Sequence, residues 1–321
     1  MKILFFAPET GDADAWRTSL TRVLPKADIR VWRPGDTAYA DYAIVWRPPR
    51  ELFAPRDGLK AIFNLGAGVD AILRFEREAP GTLSPDVPLI RLEDTGMAAQ
   101  MNEYAAYAVL RYLRRFDEYE LMQRGGEPRW HVLDPHPRET FVVAVLGLGV
   151  LGTQVARTLA SFGLPVRGYS RSMKMLDGIE TFAGGASPGG APLDACLDGA
   201  KAVVNLLPST PETEGILNRR TFARLARGAY LVNLARGAHV VEEDLLDAMH
   251  GGQIAAATLD VFREEPLPAD HRFWREPRVT ITPHISAQTL REPAAEQIAA
   301  KIAALSRGEA VGGVVDVALG Y

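Results

Sequence analysis

A glycine-rich turn in the middle of the chain, Gly147–Gly152 (GLGVLG), constrains the fold more than any other feature of this sequence. The wholly apolar run Phe141–Leu146 comes directly before it, and a helical pattern over Val150–Phe162 follows. A short run of apolar residues is typical of a strand that is buried on both faces of a parallel sheet. Glycines at this spacing between a strand and a helix let the backbone approach a pyrophosphate. The turn therefore predicts a dinucleotide-binding α/β domain.

Apolar runs alternate with helical patterns along most of the 321 residues, which predicts an α/β fold with mainly parallel sheets. The predicted strands are Lys2–Phe6, Tyr42–Trp46, Ala61–Leu65, Pro88–Leu92, Phe141–Leu146, Val166–Tyr169, Ala202–Leu206, Tyr230–Leu234, Ala255–Asp260 and Val279–Thr282. The last part of the chain is predicted to form a helix, about Glu292–Leu305, and a short strand near Val314–Val317. Because the glycine turn begins in mid-chain, a whole α/β unit precedes it. We expect two Rossmann-like, doubly wound parallel-sheet domains. The cofactor domain, 98–287, would be inserted into a flavodoxin-like substrate domain, 1–97 plus 288–321.

A long helical pattern precedes the glycine turn. It covers Met97–Gln123 and is rich in alanine, leucine and tyrosine. We predict one long helix here. A helix with this composition is suited to an isologous contact with a second copy of the chain, so a homodimer is expected.

Charge and cysteine content limit the partners and the location. The formal net charge is -4 and lysines and arginines form no run, which argues against a nucleic-acid surface. No apolar stretch approaches the roughly 20 residues that span a bilayer. Cys196 is the only cysteine, and its apolar neighbours predict a buried structural thiol. We expect a cytoplasmic protein that binds no nucleic acid, membrane or metal.

The end of the strand after the glycine turn decides which dinucleotide is bound. An acidic residue there would bind the ribose 2′-hydroxyl of NAD and repel the extra phosphate of NADP. The sequence reads instead Ser170-Arg171-Ser172, followed by Lys174. Hydroxyl and cationic groups suit a 2′-phosphate, although solvated loop charges would leave the same pattern. We expect NADP as cofactor, with NADPH preferred over NADH.

Three charged residues follow the last three predicted strands of the cofactor domain, at the edge where ligands bind in open α/β sheets. Arg236 comes after the first of these strands, Glu265 after the second and His284 after the third. Taken singly, each is more often a solvated charge or a structural histidine. Together they offer a planar fork for a carboxylate and an acid–base pair.

Combined in this order along the chain, these motifs resemble the D-isomer-specific 2-hydroxyacid dehydrogenase family, and in particular its glyoxylate/hydroxypyruvate reductase A type. The resemblance covers nearly the whole chain. The matching segments are Asn64–Asp70 (NLGAGVD), Gly147–Gly152, Asn205–Thr213 (NLLPSTPET), Asn233–Gly237 (NLARG), Gly237–Glu242 (GAHVVE), Asp260–Pro266 (DVFREEP), Thr282–His284 (TPH) and the C-terminal Gly320-Tyr321.

The resemblance implies NADPH-dependent reduction of small 2-oxo acids, such as glyoxylate and hydroxypyruvate, to glycolate and glycerate. His284 would be the general acid that protonates the carbonyl oxygen, and Glu265 would pair with it and favour the imidazolium. Arg236 would bind the substrate carboxylate and polarise the ketone. Asp260 would orient the nicotinamide amide.

The resemblance also implies two sets of ligand contacts, in which the Gly66–Gly68 loop offers backbone amides to a carboxylate. The substrate would contact Trp46, Ala67, Gly68, Arg236 and His284. The cofactor would contact Gly147, Leu148, Gly149, Val150, Leu151, Gly152, Ser170, Arg171, Ser172, Lys174, Leu207, Pro208, Thr213, Ala235, Arg236, Asp260, His284 and Ser286.

Several alternatives stay open at the level of sequence. A bulkier 2-hydroxy acid is the alternative substrate, since Trp46 can either narrow the pocket or pack in the core. A non-catalytic dinucleotide sensor is a more distant alternative. Glu264 stands beside Glu265 and offers His284 a second carboxylate. The helix segment Asn102-Glu103-Tyr104 lacks a Glu-His pair found in many relatives, which leaves the contacts of this helix open.

Overall fold

The structure is a computed structural model that describes residues 1–8, 13–125, 130–184 and 190–321. Residues 1–97 and 289–321 form one compact unit, and residues 98–288 form the other. In the described ranges, no helix is long and apolar enough to cross a membrane.

Among its described residues, the first unit contains one sheet of five parallel strands. The strands are β1 (Lys2–Phe6), β2 (Asp28–Val31), β3 (Tyr42–Val45), β4 (Ala61–Asn64) and β5 (Leu89–Arg91). The helices are α1 (Ala13–Val23), α2 (Asp70–Glu78) and, from the end of the chain, α9 (Arg291–Ser306). The strand order β2-β1-β3-β4-β5 is that of flavodoxin-like folds, as predicted. The prediction of a strand near Val314–Val317 is wrong: turns at 312–313 and 317–320 flank this segment, and Val314 makes only an isolated antiparallel bridge with Ile90.

The second unit contains, in the part that the structure describes, a sheet of seven parallel strands. The strands are β6 (Val143–Leu146), β7 (Val166–Ser170), β8 (Glu180–Ala183), β9 (Ala202–Asn205), β10 (Ala229–Asn233), β11 (Ile254–Leu259) and β12 (Val279–Ile281). The helices are α3 (Met97–Leu113), α4 (Phe116–Arg124), α5 (Val150–Ser161), α6 (Ala191–Leu197), α7 (Arg219–Phe222) and α8 (Glu242–His250). The order β12-β11-β10-β9-β6-β7-β8 is Rossmann-like, and the chain reverses direction across the sheet between β6 and β9.

The strands of the second sheet end level with one another. Leu146 at the end of β6 pairs with Asn205 at the end of β9, which in turn pairs with Asn233 of β10. The register continues from Asn233 to Leu259 of β11, and from Leu259 to Ile281 of β12. The loops that follow these five strands therefore leave the same edge of the sheet.

β6 shows why the run before the glycine turn is apolar throughout. Val143 and Val145 belong to one buried cluster, whereas Ala144 and Leu146 belong to another. Alternate residues of a strand point to opposite faces, so both faces of β6 are buried, as predicted. The second cluster includes Cys196 of α6. Burial raises the pKa of the Cys196 thiol to about 12, which confirms the prediction of a buried structural cysteine.

The prediction of one helix over Met97–Gln123 is wrong. The segment forms two helices, α3 and α4, because Arg115 between them has a left-handed backbone with φ of 57°. The Arg115 guanidinium donates to both carboxylate oxygens of Glu118, at 2.7 and 2.8 Å. This pair stabilises a conformation that costs a non-glycine residue about 1–3 kcal/mol. No glycine or proline marks the break in the sequence.

β2 and β8 are absent from the predicted strands because neither is an apolar run. β2 reads Asp-Ile-Arg-Val and β8 reads Glu-Thr-Phe-Ala, and both are partly exposed. Each lies at the edge of its sheet, with a neighbouring strand on one side only. Edge strands carry polar residues, so they lack the pattern that identifies a central strand.

Candidate active site

The three glycines of the turn have different surroundings, and the structure requires a glycine at two of them, Gly147 and Gly152. Gly147 has φ of 101°, and a Cβ there would lie 2.5 Å from the carbonyl oxygen of Leu206. A Cβ on Gly152 would overlap the carbonyl oxygen of Gly147, so α5 packs directly against the turn. A Cβ on Gly149 would meet no described atom within 4 Å. Gly149 caps the N-terminus of α5, where exposed backbone amides favour an anion.

The segment after β7 is a turn held by a serine. Ser170 is buried, and its hydroxyl donates to the carbonyl oxygen of Ser172 at 2.7 Å. Arg171, Ser172 and Lys174 are exposed on this turn. The side chains of Arg171, Ser172 and Lys174 therefore reach solvent, whereas the Ser170 hydroxyl bonds within the turn.

The segment after β9 is shaped from inside by a buried threonine. The Thr213 hydroxyl donates to the carbonyl oxygen of Pro208 at 2.7 Å and accepts the Thr210 amide at 2.9 Å. Leu207, just before Pro208, is buried. Thr213 thus holds the backbone of a loop that begins beside Gly147, at the point where the strand order reverses.

His284 and Glu265 form a direct contact. His284 Nδ1 lies 2.8 Å from Glu265 Oε2, and the two side chains are 36% and 25% exposed. The other oxygen of Glu265 accepts the Phe262 amide at 2.9 Å. Because the carboxylate is an acceptor, Nδ1 carries the proton of this hydrogen bond. The carboxylate that contacts His284 is that of Glu265.

Asp260 organises residues 282–288, which we call the histidine loop. Its fully buried carboxylate accepts the Thr282 hydroxyl at 2.6 Å and the amides of Ile285 and Ser286 at 2.8 Å each. Its backbone carbonyl accepts the amide of His284, also at 2.8 Å. Asp260 therefore accepts four hydrogen bonds from the histidine loop, which wraps around it.

Arg236 lies on a loop that is supported by buried amide side chains. Asn233 Nδ2 donates to the carbonyl oxygen of Arg236 at 3.0 Å, and Asn205 Nδ2 donates to Asn233 Oδ1 at the same distance. A Cβ on Gly237 would overlap the backbone of Phe262. The loop that carries Arg236 thus lies against the loop that carries Glu265, and the Arg236 side chain is partly exposed.

In the first unit, the loop after β4 is shaped by a buried asparagine. Asn64 Nδ2 donates to the carbonyl oxygens of Gly66 and Gly68, at 3.0 and 2.8 Å. A Cβ on Gly66 would overlap the indole of Trp46, so the ring packs directly on this loop. The guanidinium of Arg47 lies 5.7 Å from the centre of the indole.

The predicted site residues fall into four groups. The contacts described above bring Arg236, Glu265 and His284 together in the second unit, whereas Trp46, Ala67 and Gly68 lie together in the first. The third group is buried and supports the loops or the core rather than facing solvent. Its members are Gly147, Leu148, Gly152, Ser170, Leu207, Thr213, Ala235, Asp260 and Ser286. The fourth group is exposed or partly exposed in the second unit and comprises Gly149, Val150, Leu151, Arg171, Ser172, Lys174 and Pro208.

Two side chains at this site had no predicted role. The Thr282 hydroxyl contacts Asp260, and the Tyr104 hydroxyl lies 2.5 Å from Thr282 Oγ1. For Thr282 the sequence did contain a signal, since a hydroxyl two residues before a candidate general acid can help to position it. Tyr104 has no local signal, since only the packing of α3 against the sheet brings it there.

Comparison with known proteins identifies relatives over the full chain. The family model described as D-isomer specific 2-hydroxyacid dehydrogenase, NAD binding domain, matches residues 106–286. Glyoxylate/hydroxypyruvate reductase A of Serratia proteamaculans (strain 568) is 58% identical to the chain over 321 residues, with 100% of both sequences covered.

Solved structures agree with this result. A D-isomer specific 2-hydroxyacid dehydrogenase from Xanthobacter autotrophicus Py2, in complex with NADPH and MES, has a TM-score of 0.90 at 40% identity over 99% of each chain. An NADPH-dependent glyoxylate/hydroxypyruvate reductase from Sinorhizobium meliloti, in complex with NADP and sulfate, has a TM-score of 0.87 at 34% identity. It covers 100% of this chain and 99% of its own.

Proposed function

The chain belongs to the D-isomer specific 2-hydroxyacid dehydrogenase family, and on this premise we propose that it is an NADPH-dependent reductase of glyoxylate and hydroxypyruvate. One observation carries the proposal. His284 and Glu265 are 2.8 Å apart at the same sheet edge as the glycine turn Gly147–Gly152 and Arg236. An acid–base pair, a carboxylate-binding cation and a dinucleotide turn are what the reduction of a 2-oxo acid needs.

The residues of the second unit fit an NADP-type dinucleotide. The space above Gly149 and the N-terminus of α5 suit a pyrophosphate. Beyond β7, Arg171 and Lys174 are exposed and residues 170–174 include no carboxylate, which suits a 2′-phosphate. When bound, NADPH supplies the hydride for the carbonyl carbon. The relatives solved with NADPH or NADP support this choice.

We propose that His284 is the general acid. Glu265 accepts the Nδ1 proton and faces the positive charge of the ring when the ring is protonated. Nε2 is then the ring nitrogen that donates a proton to the substrate carbonyl oxygen. Glu265 is itself held by the Phe262 amide, so the imidazole keeps one orientation. The pair holds and delivers a proton at a defined atom.

Arg236 is proposed to bind the carboxylate of the 2-oxo acid and to stabilise negative charge on the neighbouring ketone oxygen. In the first unit, Ala67 and Gly68 are proposed to bind substrate through backbone amides, and Trp46 to limit its size. For Asp260, the three hydrogen bonds accepted by its buried carboxylate support a role in holding the histidine loop. Its contact with the nicotinamide amide stays a prediction.

Turnover with a graded series of 2-oxo acids tests the proposal. Oxidation of NADPH is followed by absorbance with glyoxylate, hydroxypyruvate, pyruvate, and branched and aryl 2-oxo acids. We expect the highest kcat/KM with glyoxylate or hydroxypyruvate, and glycolate or glycerate as product. A higher kcat/KM with a branched or aryl acid would support the alternative of a bulkier substrate. No turnover with any of these acids would reject the proposal.

We further propose that the protein works as a homodimer. Tyr107 of α3 and Phe116 of α4 are 64% and 48% exposed, and Trp130 and Val132, shortly after α4, are 103% and 79% exposed. Large exposed apolar side chains on consecutive segments are typical of an interaction surface, and an isologous contact covers the same patch on both copies. Light scattering of the purified protein should give the mass of two chains.

We also propose a cytoplasmic location. Cys196 is a free, buried thiol, which is compatible with a reducing compartment. Cell fractionation followed by detection of the protein would test this.

A further inference from the structure

Helix α3 carries two side chains that contact the two ends of the histidine loop. Gln100 Nε2 donates to the carbonyl oxygen of Gln288 at 2.9 Å, and Gln100 Oε1 accepts the Gln288 amide at 3.2 Å. One turn further along the helix, the Tyr104 hydroxyl lies 2.5 Å from Thr282 Oγ1. Residues four apart lie on the same face of a helix, so one face of α3 holds both ends of the loop.

The chemistry of the three groups sets the direction of their hydrogen bonds. The Asp260 carboxylate is the acceptor for the Thr282 hydroxyl, which uses the single hydroxyl proton of Thr282. Tyr104 must therefore be the donor to Thr282 Oγ1. Burial raises the pKa of Tyr104 to about 12, and the charge of Asp260 acts in the same direction. The phenol therefore keeps the proton that it donates under ordinary assay conditions.

The histidine loop needs such support because its backbone is strained. His284 has φ of 55°, a left-handed conformation that a non-glycine residue keeps only when its surroundings hold it. In this conformation the His284 amide reaches the carbonyl oxygen of Asp260, and Nδ1 reaches Glu265. A small displacement of the loop would move the imidazole away from Glu265.

We propose that Tyr104 is a positioning residue for the proposed reduction. Its phenol orients the Thr282 hydroxyl toward Asp260. This series of hydrogen bonds, from Tyr104 to Thr282 to Asp260, holds His284 where its ring meets Glu265. Tyr104 touches neither substrate nor cofactor in this scheme and acts only through the histidine loop. The catalytic meaning of the inference rests on the proposed function, whereas the effect of Tyr104 on the His284 ring does not.

The first test compares two tyrosines of the same helix. Tyr104→Phe removes the phenol that contacts Thr282. Tyr112→Phe is the matched control, since the buried Tyr112 hydroxyl also makes one hydrogen bond, to the carbonyl oxygen of Gly228 at 2.5 Å. We expect both variants to lose thermal stability, but only Tyr104→Phe to lose kcat, by about ten-fold, with KM for NADPH unchanged. An equal kcat in the two variants would overturn the proposal.

The second test asks whether the two hydroxyls act as one chain. Thr282→Val keeps the shape of the side chain and removes its hydroxyl. If Tyr104 acts through Thr282, adding Tyr104→Phe to Thr282→Val should lower kcat by less than two-fold further, about the limit of additivity for independent sites. Losses that multiply would show that the two hydroxyls act independently, and the proposal would be wrong.

A readout that needs no turnover separates this inference from the proposed function. The ring-nitrogen NMR signal of His284 is assigned by its loss in His284→Gln. It should shift in Tyr104→Phe and stay in place in Tyr112→Phe. If the wild-type protein reduces no 2-oxo acid and the signal still shifts, the proposed function fails and the positioning effect stands. A signal that does not move in Tyr104→Phe overturns the positioning role, whatever the activity.

Discussion

The glycine turn and the histidine loop leave the same edge of one sheet, but they are built by opposite means. The shape of the glycine turn comes from its own backbone. Gly147 is left-handed, Gly152 lies directly against the carbonyl oxygen of Gly147, and Gly149 faces open space. The histidine loop takes its shape from side chains distant in sequence, Asp260 and Tyr104. We therefore expect the glycine turn to be sensitive to an added methyl group, and the histidine loop to be sensitive to the loss of a single polar group.

The largest expected effect is at the histidine loop. His284→Ala should lower kcat by about a thousand-fold, within the range that general acids contribute, while the fold is retained. Glu265→Gln should lower kcat less, by about ten-fold, because the ring keeps a hydrogen-bond acceptor and loses only the facing charge. Steady-state kinetics with NADPH and glyoxylate, together with circular dichroism, measure both effects.

A second histidine–glutamate pair in the same unit provides the control. His271 Nε2 lies 3.1 Å from Glu242 Oε2, and this pair makes no described contact with the histidine loop. His271→Ala should leave kcat within about two-fold of the wild-type value, since substitutions away from the reacting groups have small effects. A near-normal kcat in His284→Ala would show that His284 is not the general acid. The histidine loop would then have no larger effect on kcat than the His271–Glu242 pair.

A smaller effect is expected at the glycine turn, where two substitutions of the same kind should differ. In Gly152→Ala the new methyl group overlaps the carbonyl oxygen of Gly147, and we expect a loss of about 1–3 kcal/mol in unfolding free energy. In Gly149→Ala the methyl group meets no described atom, so stability should be unchanged. The methyl group there would instead take space needed by a pyrophosphate and weaken NADPH binding by about ten-fold.

Thermal melts without cofactor and fluorescence titration with NADPH distinguish the two glycines. Equal stability of the two variants would show that the close approach at Gly152 is relieved by movement of the backbone. Unchanged NADPH affinity in Gly149→Ala would mean that the open space is not the binding position.

The narrowest effect, confined to one of the two cofactors, is expected at the exposed end of the cofactor site. Arg171→Ala should raise KM for NADPH by about ten-fold, the cost of one charge-assisted hydrogen bond, and leave KM for NADH unchanged. Arg157→Ala is the control, since it removes an equally positive, exposed side chain from α5. Equal changes in KM for NADPH and NADH would show that Arg171 does not contact the 2′-phosphate.

The parts of the fold that the sequence predicted are those with a local pattern. Ten of the eleven predicted strands are present, most of them apolar runs that are buried in a parallel sheet. The predicted strand near Val314–Val317 is not formed. The polar edge strands β2 and β8 and the break at Arg115 have no such pattern. The break lies at the left-handed backbone of Arg115, whose guanidinium pairs with Glu118. An arginine and a glutamate three residues apart also pair on a continuous helix, so the sequence does not mark the break.

The candidate site divides in the same way. The motifs around Arg236, Glu265 and His284 can be read from the sequence because each follows an apolar strand. Whether Glu264 or Glu265 faces His284 cannot be read, since neighbouring residues in a loop point in directions that the backbone conformation decides. The structure shows that Glu265 makes the contact.

The sequence by itself determined the α/β class, the family and the dinucleotide turn, because these depend on local backbone geometry and on the alternation of buried runs. Only the tertiary structure decided how Tyr104, Thr282 and Asp260 hold the histidine loop. These residues come from a helix and two strand ends, and their distances are set by the register of the sheet and by the helix packed on it. The shape of a glycine turn is set by consecutive residues, whereas the position of a histidine side chain depends on contacts that exist only in the folded chain.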